Sequence, residues 1–250
     1  MHRSESGFTL VELLVSMAMA GIVVGIIYAA YTIQTKIYTE QGKVAEMQQN
    51  IRAAVTYLRF EGVMAGYNPR QERHVSCGPP GGGTLAKPGV HTATATAFGF
   101  SMDLNRDGDC ADTGENVTYT VYPIPGPPPY KLGRNDNTDA AAQQPVAEDI
   151  TGIQFIYLFE PPEGIGTPGA TAPTSTPLPA DLDELAAVQV TLLAQGSASD
   201  RKRPVTQNFI APVPDAWGQP TANPPVWQTF TDTYSRRQLT TTINLRNMGL

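Results

Sequence analysis

From Phe8 to Ala30 the chain is apolar apart from one acidic residue, Glu12. No other feature restricts the fold as strongly. A run of this extent makes roughly 34 Å of helix at 1.5 Å per residue, enough to cross a hydrocarbon core of roughly 30 Å. A short polar lead, Met1 to Ser6 with Arg3 as its basic residue, stands ahead of it. An ordinary secretory signal is cut after its apolar stretch. Here the natural break lies before it, so the apolar segment is expected to stay in the mature chain. Glu12 is the anomaly: a carboxylate inside a membrane helix costs roughly 2.5–3.5 kcal/mol on insertion scales and marks a function unless it snorkels to the interface. Gly21 and Gly25 form a Gly-x-x-x-Gly spacing that lets membrane helices approach closely. That spacing fits helices bundled in a filament and a lone anchor almost equally well.

The helical pattern continues beyond the apolar run and turns amphipathic. Ile37, Val44, Ile51 and Leu58 fall seven apart, with Ile33, Met47, Ala54 and Val55 on the same stripe. Lys36, Glu40, Lys43 and Glu46 occupy other faces. This periodicity predicts a helix resting its stripe on another element, here its own downstream domain. No proline occurs between Phe8 and Asn68, so the helix should be unbroken until Gly62, Gly66 and Asn68-Pro69 end it.

Gly7 to Glu12, read as Gly-Phe-Thr-Leu-Val-Glu and followed by the apolar helix, closely resembles the class III leader of type IV pilins and type II secretion pseudopilins. The resemblance implies cleavage after Gly7 by a prepilin peptidase and methylation of the new amine on Phe8. It also implies that Glu12 pairs with the Phe8 amine of a neighbouring subunit, setting axial register. The expected organisation is a leader over 1–7, a transmembrane and filament-core helix over 8–30, an amphipathic continuation over 31–66 and a β-rich head over 67–250.

The roughly 180 residues after the helix suffice for one domain of ordinary size. The formal net charge is −6 with no large lysine-arginine cluster, which argues against nucleic acid as a partner. Cys77 and Cys110 are the two cysteines. An even count in an exported domain suggests a disulfide, worth roughly 3.5 kcal/mol by loop closure; two isolated thiols are the alternative. Alternating segments at 92–102 and 116–122 predict a hairpin around the loop 103–115. Further strands are predicted at 150–159, 185–194 and 238–246. The proline-rich stretches 161–180 and 204–226 read as loops. A long helix followed by a mostly antiparallel sheet is α+β architecture.

The segments ITGIQFIYLFE and VQVTLLAQG, then Arg236-Arg237 leading into TTTINLRN, resemble the PilW-type minor pilins, with J-type pseudopilins of type II secretion sharing much of the layout. The resemblance implies a subunit that helps prime pilus assembly, possibly at the tip. Its partners would be other minor pilins, the major pilin, the prepilin peptidase, the inner-membrane assembly platform and, before extraction, membrane lipid. It would reside in the bacterial inner membrane with its head in the periplasm, and then in the pilus.

Two readings of other classes stay open. Asp103, Asn105, Asp107 and Asp109 alternate around Gly108, like the first half of an EF-hand calcium loop. Gly114 stands where the bidentate glutamate belongs, so Asp112 or Glu115 would close the shell. A calcium-dependent adhesive or ligand-binding tip module follows from that reading; a polar hairpin turn is the alternative. A membrane-tethered enzyme finds little support. Cys77 to Thr84 is glycine-rich but lacks the Gly-Lys-Ser/Thr ending of a phosphate loop, no nucleophile elbow occurs, and His74 and His91 are too isolated for zinc. No catalytic residue and no required cofactor are expected.

Overall fold

The computed structural model describes residues 8–70, 77–78, 87–122, 130–137, 143–159, 174–196, 203–210 and 226–248. The chain divides into two compact units, residues 1–45 and 46–250. The helix α1 runs from Leu10 to Gly62. In the first unit its apolar side chains face outward: Leu13, Val15, Ile22, Val24 and Ile27 are all exposed. Its most apolar window has a mean hydropathy of 2.4, so the helix is long and apolar enough to cross a membrane.

In the second unit the end of α1 packs on a sheet. Met47, Ile51, Ala54 and Leu58 are buried, at helical spacings of four, three and four. The amphipathic stripe is therefore buried only from Met47 onward, whereas Ile33 and Ile37 remain exposed. A Cβ on Gly62 would meet Ile243 at 3.1 Å and Phe98 at 3.8 Å, which places the last helical turn against the sheet. Helical bonds give way to turns over Val63 to Tyr67. Gly66 has a φ of +77°, a conformation that favours glycine, and a Cβ there would lie 3.0 Å from the Asn247 carbonyl oxygen.

The sheet has seven antiparallel strands in the order β1 (Val90–Ala93), β2 (Ala97–Ser101), β3 (Asn116–Tyr122), β4 (Tyr130–Asp136), β5 (Gln144–Phe159), β6 (Leu185–Gln195) and β9 (Arg236–Asn244). Two further strands, β7 (Val205–Ile210) and β8 (Val226–Asp232), form a separate antiparallel ribbon. Phe98, Phe100, Tyr119, Phe155 and Tyr157 make an aromatic core, with Phe98 centred 5.0 Å from Phe100 and 5.7 Å from Phe155. Every residue of β6 except Ala186 is buried, as expected for a strand covered on both faces. The ribbon packs against the sheet at β5 and β9. Gln228 of β8 occupies the space above Gly152, and the Arg236 guanidinium lies 3.8 Å over the Phe230 ring while bonding Asp232 and Gln195.

The architecture is thus α+β, as expected, with one long apolar N-terminal helix and a mostly antiparallel sheet. Several boundaries differ from the sequence reading. The segment 92–102 splits into β1 and β2, because the Thr94 hydroxyl accepts the Ala97 N–H at 2.9 Å and turns the chain. β5 starts six residues before the expected strand. Strands β4, β7 and β8 were not anticipated. Of the proline-rich stretch 161–180, residues 161–173 lie outside the described part. Thr174 then bridges Tyr157, and a 3₁₀ turn covers Pro179–Glu184. The stretch 204–226 contains β7 rather than only loop, and residues 211–225 lie outside the description.

Candidate functional site

The loop 103–115 joins β2 to β3 and concentrates the carboxylates of the head. One oxygen from each of Asp107, Asp109, Asp112 and Glu115 lies within 4.8 Å of the others. The backbone holds them there through a succession of local bonds. The Asp107 N–H donates to Asn105 Oδ1 at 2.9 Å, the Asp109 N–H to Asp107 Oδ1 at 3.1 Å, and the Ala111 N–H to Asp109 Oδ1 at 2.8 Å. Gly108, with φ +94°, permits the sharp turn between them.

The six residues expected as ligands do not all converge. Asp103 is buried and caps the turn, accepting the Arg106 N–H at 2.5 Å, and it does not belong to the convergent group. Asn105 points its amide nitrogen inward, donating to Asp107 Oδ2 at 2.9 Å and to Asp112 Oδ2 at 2.5 Å. Glu115 closes the group in place of position 114. Gly114 has a φ of +89° and gives its N–H to Asp136 Oδ2 at 2.6 Å.

Glu115 is 1% exposed. Its Oε1 accepts the N–H groups of Leu104 at 2.8 Å and Asn105 at 3.2 Å, whereas its buried Oε2 has no hydrogen-bond partner. Burial pushes the Glu115 carboxyl above the usual range, while those N–H groups pull it down. Asp107 is held below its usual range, chiefly by the Asn105 amide. The arrangement concentrates negative charge and hard oxygen donors, so the cluster could hold a metal ion.

The two cysteines are joined as Cys77–Cys110, both buried, which ties the middle of the loop to the segment after the helix. Ser101 Oγ donates to the Cys77 carbonyl at 2.9 Å and Asn116 Nδ2 to the Gly78 carbonyl at 2.8 Å, fixing that segment on both flanks of the loop. From the far end of the loop a polar chain runs to α1. Arg134 contacts Asp136 at 3.7 Å and pairs with Glu61 at 2.9 Å, and the Tyr119 hydroxyl donates to Glu61 at 2.6 Å. Sequence reading missed this chain, since Arg134 and Asp136 sit in the unanticipated β4.

At the other end of the chain, Gly7 lies outside the described residues, and Phe8 is exposed. Thr9 and Glu12 cap the start of α1 reciprocally. Glu12 Oε2 accepts the Thr9 N–H at 3.0 Å and the Thr9 hydroxyl at 2.9 Å, while the Glu12 N–H donates to Thr9 Oγ1 at 3.3 Å. Thr-x-x-Glu is the sequence signature of a capping box, and it was legible in the motif. Gly21 and Gly25 lie on an open surface where an added Cβ would meet nothing within 4 Å.

Residues 2–28 match the family model for the prokaryotic N-terminal methylation motif. Among solved structures the chain is similar to a type IV-like pilin from Thermus thermophilus, with 13% identity, 81% of this chain and 98% of that one covered, and a TM-score of 0.41. No curated protein matches the chain.

Proposed function

We propose that this chain is a structural subunit of a type IV pilus, a PilW-type minor pilin that primes assembly with other minor pilins at the tip. The observation that carries the reading is the methylation-motif match over residues 2–28, which includes the Gly7-Phe8 junction, Glu12 and most of the apolar run. In this reading residues 1–7 are the leader, 8–30 the membrane and filament-core helix, 31–66 its continuation and 67–250 the periplasmic head. The outward apolar side chains between Leu10 and Ile27 suit lipid before extraction and neighbouring helices afterwards. The chain serves as a substrate of the prepilin peptidase rather than as an enzyme. A calcium ion on the acidic loop would brace such a head and would not act as a reagent.

Intact-mass measurement of the protein extracted from membranes tests the reading. The expected product has lost Met1 to Gly7 and gained one methyl group on Phe8. Cleavage near Ala30 instead would identify an ordinary signal peptide and remove the basis for a pilin.

A further inference from the structure

We propose that the β2–β3 loop holds one calcium ion, with carboxylate oxygens of Asp107, Asp109, Asp112 and Glu115 as its protein ligands. Two independent observations carry this. The first is the convergence of the four carboxylates within 4.8 Å. The second is Glu115, whose side chain is almost wholly buried and whose Oε2 has no hydrogen-bond partner. A buried carboxylate oxygen without a partner costs free energy, and a cation held by the other three carboxylates would supply what it lacks. Among the described residues no lysine or arginine forms an ion pair with any of the four.

The chemistry of the donors selects the ion. All are oxygens, with no imidazole or thiolate in the group, which favours a hard cation over zinc or copper. Magnesium demands a near-ideal octahedron at short distance and keeps its own waters, whereas calcium accepts six to eight oxygens in irregular arrangements. Ligands drawn from positions 107, 109, 112 and 115 of an irregular loop match the second requirement. The Asn105 amide nitrogen already bridges Asp107 and Asp112, doing weakly what a cation would do strongly. Asp103 stays out, engaged with the Arg106 N–H. The shell is therefore displaced toward the C-terminal half of the loop relative to an EF-hand, with Glu115 closing it one position late.

The test uses the full chain in detergent micelles, stripped with chelator and titrated with calcium chloride or magnesium chloride. Calorimetry should show one saturable event with a dissociation constant on the order of 10⁻⁴–10⁻³ M, the range of imperfect extracellular sites. The melting temperature should rise with calcium by mass action. Glu115→Gln keeps an acceptor for Leu104 and Asn105, and Asp109→Asn changes a half-buried position, so both variants should fold. Each should weaken calcium binding at least tenfold, while Asp181→Asn in the 3₁₀ turn should leave it unchanged. Glu115→Gln should also raise the melting temperature in chelator, because the uncompensated buried charge is gone. Absence of binding heat and of any melting shift overturns the site. A calcium response that survives both variants places the ion elsewhere, and magnesium binding as tight as calcium overturns the choice of ion.

Discussion

Glu12 caps the start of α1, and one charge change separates that role from the charge pair of the proposed filament. Both capping bonds from Thr9 fall on Oε2, so Oε1 is left to face a neighbour's amine in the proposed filament. Glu12→Gln preserves an N3 acceptor for the capping box but removes the charge. If register depends on a charge pair, Gln and Ala variants should both insert into the membrane normally and both lose copurification with partner pilins. If capping alone matters, Gln should behave like the parent and only Ala should fail. His91 offers a second residue-scale test. Burial beside β2 depresses its imidazole from 6.5 to about 4. The unfolded chain therefore takes up a proton before the folded one as pH falls. The stability tied to His91 is fully present above pH 6.5 and is lost between there and about pH 4. The ceiling is on the order of 3 kcal/mol at about 1.36 kcal/mol per unit. Urea melts of His91→Gln should show a shallower acid slope across that window than the parent; equal slopes would mean the ring carries no such penalty.

Among the elements, the junction between α1 and the sheet is held by polar as well as apolar contacts. Glu61, on the last turn of α1, is bonded by Arg134 of β4 and Tyr119 of β3. Glu61→Gln leaves the largely buried Arg134 with Asp136 as its carboxylate neighbour, 3.7 Å away. Removing one partner of a buried pair costs roughly 3–5 kcal/mol, and the retained Asp136 should hold the loss to roughly 2–3 kcal/mol. Denaturant melts of the full chain in micelles measure it, and a loss within the error of the method would show the junction to be purely apolar. The same junction explains what could be read in advance. Helix α1 and β3 were legible because one periodicity dominates each, and β6 because it is a nearly unbroken apolar run. β4 was not, since its Lys131, Gly133, Arg134 and Asp136 look like a turn in isolation. Its side chains make sense only with Glu61 and with the Tyr122 ring, which fills the space above Gly133. The ribbon β7–β8 was hidden in the same way by its flanking prolines. In the acidic loop the ligand types were readable. The choice among them was not, because the exclusion of Asp103 and the burial of Glu115 are products of the tertiary fold.

Seen as a whole, the molecule joins a segment that hides almost none of its apolar surface to a head with a dense core. In the proposed function lipid or neighbouring helices cover the first unit, whereas the second has its own sheet. The head closes on itself over a long distance in sequence. Asn247 Nδ2 donates to the Val63 carbonyl at 2.9 Å, a separation of 184 residues, and Ile243 of β9 sits against Gly62. The residues that seat the end of the helix thus lie far downstream of it in the chain. Contacts so distant in the chain are slow to form, and here they must also wait until β9 has been made. During that interval the face carrying Met47, Ile51, Ala54 and Leu58 has only part of its platform. The time between formation of the helix and arrival of β9 is therefore the stage at which a newly made chain is most exposed to aggregation.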